Sequence, residues 1–324
     1  MYLIVKYLVL CCLATVPFGL THAQSYPNRS IKLVVPWPAG GTTDAAGRIL
    51  AQRLSDQMGV QVIVDNKAGA AGTIGAESVA RSVADGYTLL LASAETHAIA
   101  PNLRLKLSYD PLKDFVAITP FAINPFALVS KPGFAANSVQ DLINQIKAQP
   151  DKFTYSSAGL GSASQIGMET LQSLAGTRLL HVPFQGQAPA LTSLIAGQTD
   201  FQMLPAGSAT ELRKAGKVKV YAVSTKNRFF DMPDVPTLIE AGYSSMNFAN
   251  WFGIVAPTNT PGVVVHRLET EMTQLIKSSD AIMAFQRIGL DVFPLTNVTE
   301  FQRFIESEHS RWGVVIRNAK IQSE

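Results

Sequence analysis

Ile31-Lys32-Leu33-Val34-Val35-Pro36-Trp37-Pro38-Ala39-Gly40-Gly41-Thr42-Thr43-Asp44 is the stretch that decides the fold class. Its first five residues are rich in β-branched and aliphatic side chains and read as a strand. Pro36 and Pro38 stop that strand, since proline has no N–H to give to a ladder. Gly40 to Thr43 reads as a loop, and 44–58 has helical spacing, with Ile49, Leu50, Leu54 and Met58 on one side. A strand that passes through a small-residue loop into a helix is the first half of a β-α-β unit.

The same rhythm continues on either side. A strand over 60–64, a Gly/Ala-rich loop over 67–75, a helix over 76–82 and a strand over 87–91 complete the first series. Beyond residue 125 it resumes: strand 126–129, helix 139–148, strand 153–155, helix 163–175, strand 179–183, helix 191–196, then strands 201–204 and 218–224. A strand over 251–256 runs back towards the first series, and helices over 263–277 and 299–318 close the chain. This predicts an α/β fold, with a parallel sheet covered by helices on both faces. No fixed-period repeat and no low-complexity linker occurs, so two domains joined by crossing segments near 126 and 252 are expected.

Composition narrows the function classes. The chain has 324 residues, with 27 Lys+Arg against 24 Asp+Glu and a net charge of +3. Charged residues make up 16 %, against about 25 % in an average soluble protein. An acidic disordered chain and a basic nucleic-acid stripe are both excluded. Residues 1–23 read as a secretory signal: Lys6 near the start, a short apolar run, then Thr21-His22-Ala23 before the cleavage point. Cys11 and Cys12 fall inside it, so export leaves a mature chain without disulfides or thiol chemistry.

No local signature of catalysis is present. The five His are scattered without metal spacing, there is no GxSxG elbow, and no cysteine nucleophile survives cleavage. His181, beside the turn Val182-Pro183-Phe184-Gln185-Gly186, has the best claim of the His to lie near a site. Gly69-Ala70-Ala71-Gly72-Thr73-Ile74-Gly75 follows a strand, but its spacing is GxxGxxG rather than the dinucleotide GxGxxG, and close backbone packing is the simpler reading. What recurs is a strand end, a small-residue loop and a polar helix start: at Pro38 to Asp44, at Tyr155 to Gln165, and at Phe184 to Pro189. Ser162 and Gln165 have capping-box spacing, and Pro189 suits a first helical position. A helix start leaves N–H groups unpaired and suits an anion.

The ordered set of motifs resembles the substrate-binding proteins of tripartite tricarboxylate transporters, the Bug family. The matching stretches are residues 31–44, Asp85-Gly86-Tyr87-Thr88-Leu89-Leu90, Tyr109-Asp110-Pro111 with Asp114-Phe115, Tyr155-Ser156-Ser157-Ala158-Gly159, His181 to Gly186, Pro233-Asp234-Val235-Pro236-Thr237 and Trp251 to Pro257. The resemblance implies a two-lobed periplasmic binding-protein fold (type II-like), with residues 24–125 and 252–324 in lobe one and 126–251 in lobe two. It implies a monomeric, cofactor-free and metal-free receptor that holds a small carboxylate in the interlobe cleft and passes it to membrane permease subunits. Carried over, Ala39, Gly41, Thr43, Asp44 and Ser93 form the first-lobe side, and Ser157, Gly161, Ser162, Gln187 and Ala188 the second. Gln165 stands where many relatives carry His, and Trp37, where Phe is common, stacks on a flat ligand or fills core. A sensor signalling to a membrane kinase and an exported hydrolase with a dispersed triad are the alternatives.

Overall fold

The computed structural model describes residues 26–103, 107–293, 297–318 and 321; the expected signal segment lies outside them. The elements in chain order begin β1 (Ile31–Val35), α1 (Thr42–Met58), β2 (Val62–Asn66), α2 (Thr73–Ala80) and β3 (Thr88–Ser93). A π-helical turn over Glu95–Ile99 runs into the short α3 (Ala100–Leu103), and β4 (Phe115–Ser130) follows. Then come α4 (Val139–Ala148), β5 (Thr154–Ser157), α5 (Ala163–Ala175), β6 (Leu180–Pro183), α6 (Gln187–Ile195), β7 (Phe201–Pro205), α7 (Ala206–Lys214) and β8 (Lys219–Val223). The chain ends with β9 (Ala249–Pro257), α8 (Gly262–Ile276), α9 (Ser279–Arg287), β10 (Asp291–Val292) and α10 (Val298–Asn318).

The strands are ordered β2-β1-β3-β9-β4-β7-β5-β6, with β8 and β10 also on β4. β1 pairs parallel with β2 and β3, and β5 pairs parallel with β6 and β7. β4 joins the two halves. From Phe115 to Pro125 it pairs antiparallel with β9, and from Phe126 to Ser130 with β7. Both faces of the first half are covered: Leu33 and Val35 pack with Leu50, Leu54 and Phe252, while Val34 packs on the opposite side with Ala76, Val79 and Leu90. That double burial is why β1 reads as an unbroken apolar run. Burying a leucine such as Leu50 contributes about 1.5–3 kcal/mol.

The structure corrects several expected boundaries. β4 starts at Phe115 rather than at 126, because Pro120 and Pro125 look like strand breakers. The register against β9 shifts next to Pro120, and such an irregularity admits a proline inside a strand. α6 begins at Gln187, four residues before the expected helix, which puts Pro189 at its third position; the N–H that proline lacks is unneeded there. The helix expected over 263–277 is followed by a second, α9, and the π-helical turn and α7 had no sequence signal. Gly75 packs where a Cβ would lie 2.9 Å from the Lys67 carbonyl oxygen and from Pro36, so the GxxGxxG loop is glycine-rich for close packing. No helix among the described residues is long and apolar enough to cross a membrane.

Candidate functional site

Three helix starts face one cavity of about 250 Å³ between the halves. Trp37 to Ala39 and Gly41 to Thr43 line it from the start of α1, Ser162 to Ser164 from α5, and Gln185 to Pro189 from α6. The N-caps of α1 and α6 are Gly41 and Gly186, and neither receives a side-chain cap. Their first-turn N–H groups are therefore left for water or a ligand, at the positive end of the helix dipole.

Asp44 works behind the first loop rather than on the cavity wall. Its carboxylate accepts from the Gly40 N–H at 3.0 Å, from Arg48 Nε at 3.0 Å and from Asn66 Nδ2 at 2.9 Å. Burial alone pushes its pKa up, but the hydrogen bonds from Arg48, Gly40 and Asn66 outweigh that and hold it below the usual carboxylate value. Asn66 also donates to the Trp37 carbonyl at 3.1 Å. One acid thus pins both ends of the Trp37–Gly41 loop against β2.

Half of the capping box expected at the second loop is formed: Ser162 caps α5, but Gln165 reaches back one residue too far, to Gly161 rather than to the Ser162 N–H, which bonds the Gly159 carbonyl instead. Ser162 Oγ accepts from the Gln165 N–H at 3.3 Å, and Gln165 Oε1 accepts from the Gly161 N–H at 2.7 Å. That use turns Gln165 away from the cavity. Ser157 is fully buried and faces His181, with Oγ 2.6 Å from Nε2. His181 stacks on Tyr155 at 4.6 Å, and burial pushes its pKa down to about 4. The pair resembles a Ser–His dyad in distance alone, because no substrate can reach a buried Ser157. Gly161 is buried where the halves meet: a Cβ there would sit 3.1 Å from Ala71 Cβ across the cleft.

Of the expected site residues, Trp37, Ala39, Gly41, Thr43, Ser162, Gln187 and Ala188 come together on the cavity wall. Asp44, Ser93, Ser157, Gly161 and Gln165 do not reach it and sit one layer behind. Sequence reasoning missed the floor, which Glu95, Asn124, Phe126, Pro205 and Asn250 build. Asn124 and Asn250 are register partners on β4 and β9, at the place where the two strands pass between the halves. A buried asparagine in each of two apolar strands was the available signal. Glu95 opens the π-helical turn, and its Oε1 accepts from the Ala163 N–H at 3.4 Å. Among the described residues no cluster could hold a metal ion.

A bilobed α/β fold with a mainly apolar cavity between its halves, into which a few polar groups and helix starts point, defines a solute-binding protein. The model for the tripartite tricarboxylate transporter family receptor matches residues 46–321, and the chain belongs to that family. Protein BugT of Bordetella pertussis is 33 % identical over 298 residues, 91 % of this chain and 90 % of its own. The structure of R. palustris Rpa4515 with adipate superposes with a TM-score of 0.87 at 32 % identity, covering 92 % of this chain and 99 % of that one. MatC from Rhodopseudomonas palustris, with bound malate, superposes at 0.84 with 30 % identity, covering 90 % and 100 %. The protein is thus a solute receptor of the tripartite tricarboxylate transporter type.

Proposed function

We propose that the cavity between the three helix starts is the carboxylate site, and that the protein captures its ligand there by closing two lobes. Residues 24–125 with 252–324 form one lobe and 126–251 the other; the change of β4 partner between Pro125 and Phe126 supports that division. Export follows cleavage after Ala23. One chain supplies both walls, which supports a monomeric receptor. The adipate and malate held by the two relatives support a small carboxylate here.

The observation that carries the reading is the convergence of two uncapped helix starts, those of α1 and α6, on one cavity. Each is worth up to about 2 kcal/mol to a partly buried anion. Two would supply about 4, short of the ~8 kcal/mol of micromolar binding. Burial of the ligand's carbon chain against Trp37, Phe126 and Pro205, all on the wall, makes up the difference.

Thr42→Pro tests it. Thr42 is the first residue of α1, where proline is accommodated, and Gly41 before it is already extended (φ −89°, ψ 172°). The substitution removes one N–H from the wall and leaves the helix intact. Carboxylate affinity measured by calorimetry should fall about threefold to tenfold, with the urea midpoint unchanged. Undiminished affinity would move the anion away from α1.

A further inference from the structure

The cavity wall is asymmetric in a way that a plain dicarboxylate does not match. Glu95 is the one charged side chain on it; no Lys, Arg or His is among the lining residues. Its residue is only 5 % exposed, and no hydrogen bond of ordinary geometry reaches Oε2. Asn124, 4 % exposed, likewise has an Oδ1 that nothing among the described residues donates to. These two acceptors share the floor. On the rest of the wall the unmatched groups are donors: Trp37 Nε1 and Gln187 Nε2 are buried without partners, beside the free amides of α1 and α6.

Glu95 also alters the count of anion sites. Its Oε1 takes the Ala163 N–H at the start of α5, so the chain's own carboxylate already occupies one of the three helix starts. A ligand anion is left with the α1 and α6 side. The opposite end of the cavity offers oxygen acceptors to whatever the ligand carries there. Buried acceptors without donors are costly, so the group that meets them brings N–H; a cationic N–H would also offset the burial that resists ionisation of Glu95, which has no internal counter-ion.

We propose that the ligand is a carboxylate that also bears a cationic amine, with the carboxylate on the α1/α6 amides and the amine between Glu95 and Asn124. The inference rests on the carboxylate-receptor reading and adds the second half of the ligand. Burial pushes the Glu95 carboxyl above its usual pKa, against the smaller pull of Ser93, Asn250 and the Ala163 N–H. An arriving ammonium supplies the missing opposite charge and holds the carboxylate ionised. Glu95 is then the residue that separates amino acids from diacids of the same length.

The test is calorimetric titration of the full mature chain with matched pairs: succinate against β-alanine, glutarate against 4-aminobutyrate, adipate against 5-aminopentanoate, and succinate against aspartate. In at least one pair the amine-bearing member should bind tenfold or more tighter. Glu95→Gln keeps the shape and the Ala163 hydrogen bond but loses the charge, and it should erase that preference. Asn124→Ala, which removes the second acceptor, should reduce the preference several-fold and serves if Glu95→Gln folds poorly. Diacids binding as tightly as their amine partners, with both variants unaffected, would overturn the role of Glu95 and leave the carboxylate receptor standing. Binding by no member of the set would overturn both.

Discussion

Gly161→Ala probes cleft closure, and Gly176→Ala is its internal control. Both glycines have positive φ, +77° and +61°, and they flank the same helix, α5. Placing an L-residue in that region costs about 1–2 kcal/mol at either site. The surroundings differ. A Cβ at Gly176 meets nothing within 4 Å, whereas at Gly161 it would lie 3.1 Å from Ala71 Cβ on the far side of the cleft. That contact is a few tenths of an ångström too tight and is felt only when the halves are together, so it adds about 1 kcal/mol against closure. Urea denaturation should therefore show both variants destabilised by about 1–2 kcal/mol. Calorimetry with the tightest-binding carboxylate should show Gly161→Ala weakened about fivefold and Gly176→Ala unchanged. Equal affinities for the two variants would refute the claim that Gly161 marks the closing contact.

Asp44→Ala removes the acceptor that holds Gly40 and Asn66, and should destabilise the chain by about 2–3 kcal/mol while loosening the Trp37–Gly41 loop; a urea midpoint equal to wild type would show that the loop holds itself. His181 gives a pH signature. Its folded pKa is lowered by burial to about 4, from an ordinary 6.5. Between those values the unfolded chain binds a proton that the folded chain refuses, so this ring contributes to the stabilisation lost as pH falls from 6.5 towards 4, alongside the likewise depressed His97 and His309. Comparing urea stabilities of wild type and His181→Gln at pH 7.5 and pH 5 isolates it from other titrating groups. The wild type should lose more on acidification, and a pH-independent difference would contradict the assigned burial.

The parts of the site made by local sequence were legible, and the parts made by chain crossing were not. β1 and α1 follow from an apolar run, two prolines and a 3.6-residue period, and the Ser162/Gln165 cap from its spacing. The convergence of the three loops follows from each lying at the carboxyl end of a strand, where α/β folds open their crevices. The floor is different. Glu95, Asn124 and Asn250 come from three segments far apart in the chain, and they meet only because β4 and β9 run antiparallel past each other. Nothing local announces that pairing, and the prolines in β4 conceal half of its length. Asp44 and Gln165 illustrate the converse: their residue types suit a ligand, yet the backbone takes them first.

The most direct test of the account is to follow backbone amides in ¹⁵N-labelled protein while the tightest-binding small carboxylate is titrated in. The N–H signals of Thr42, Thr43, Gln187 and Ala188 should shift together and saturate at one equivalent, because these amides form the wall that receives the anion. Saturable binding that leaves those four amides unmoved would place the ligand elsewhere and contradict the account.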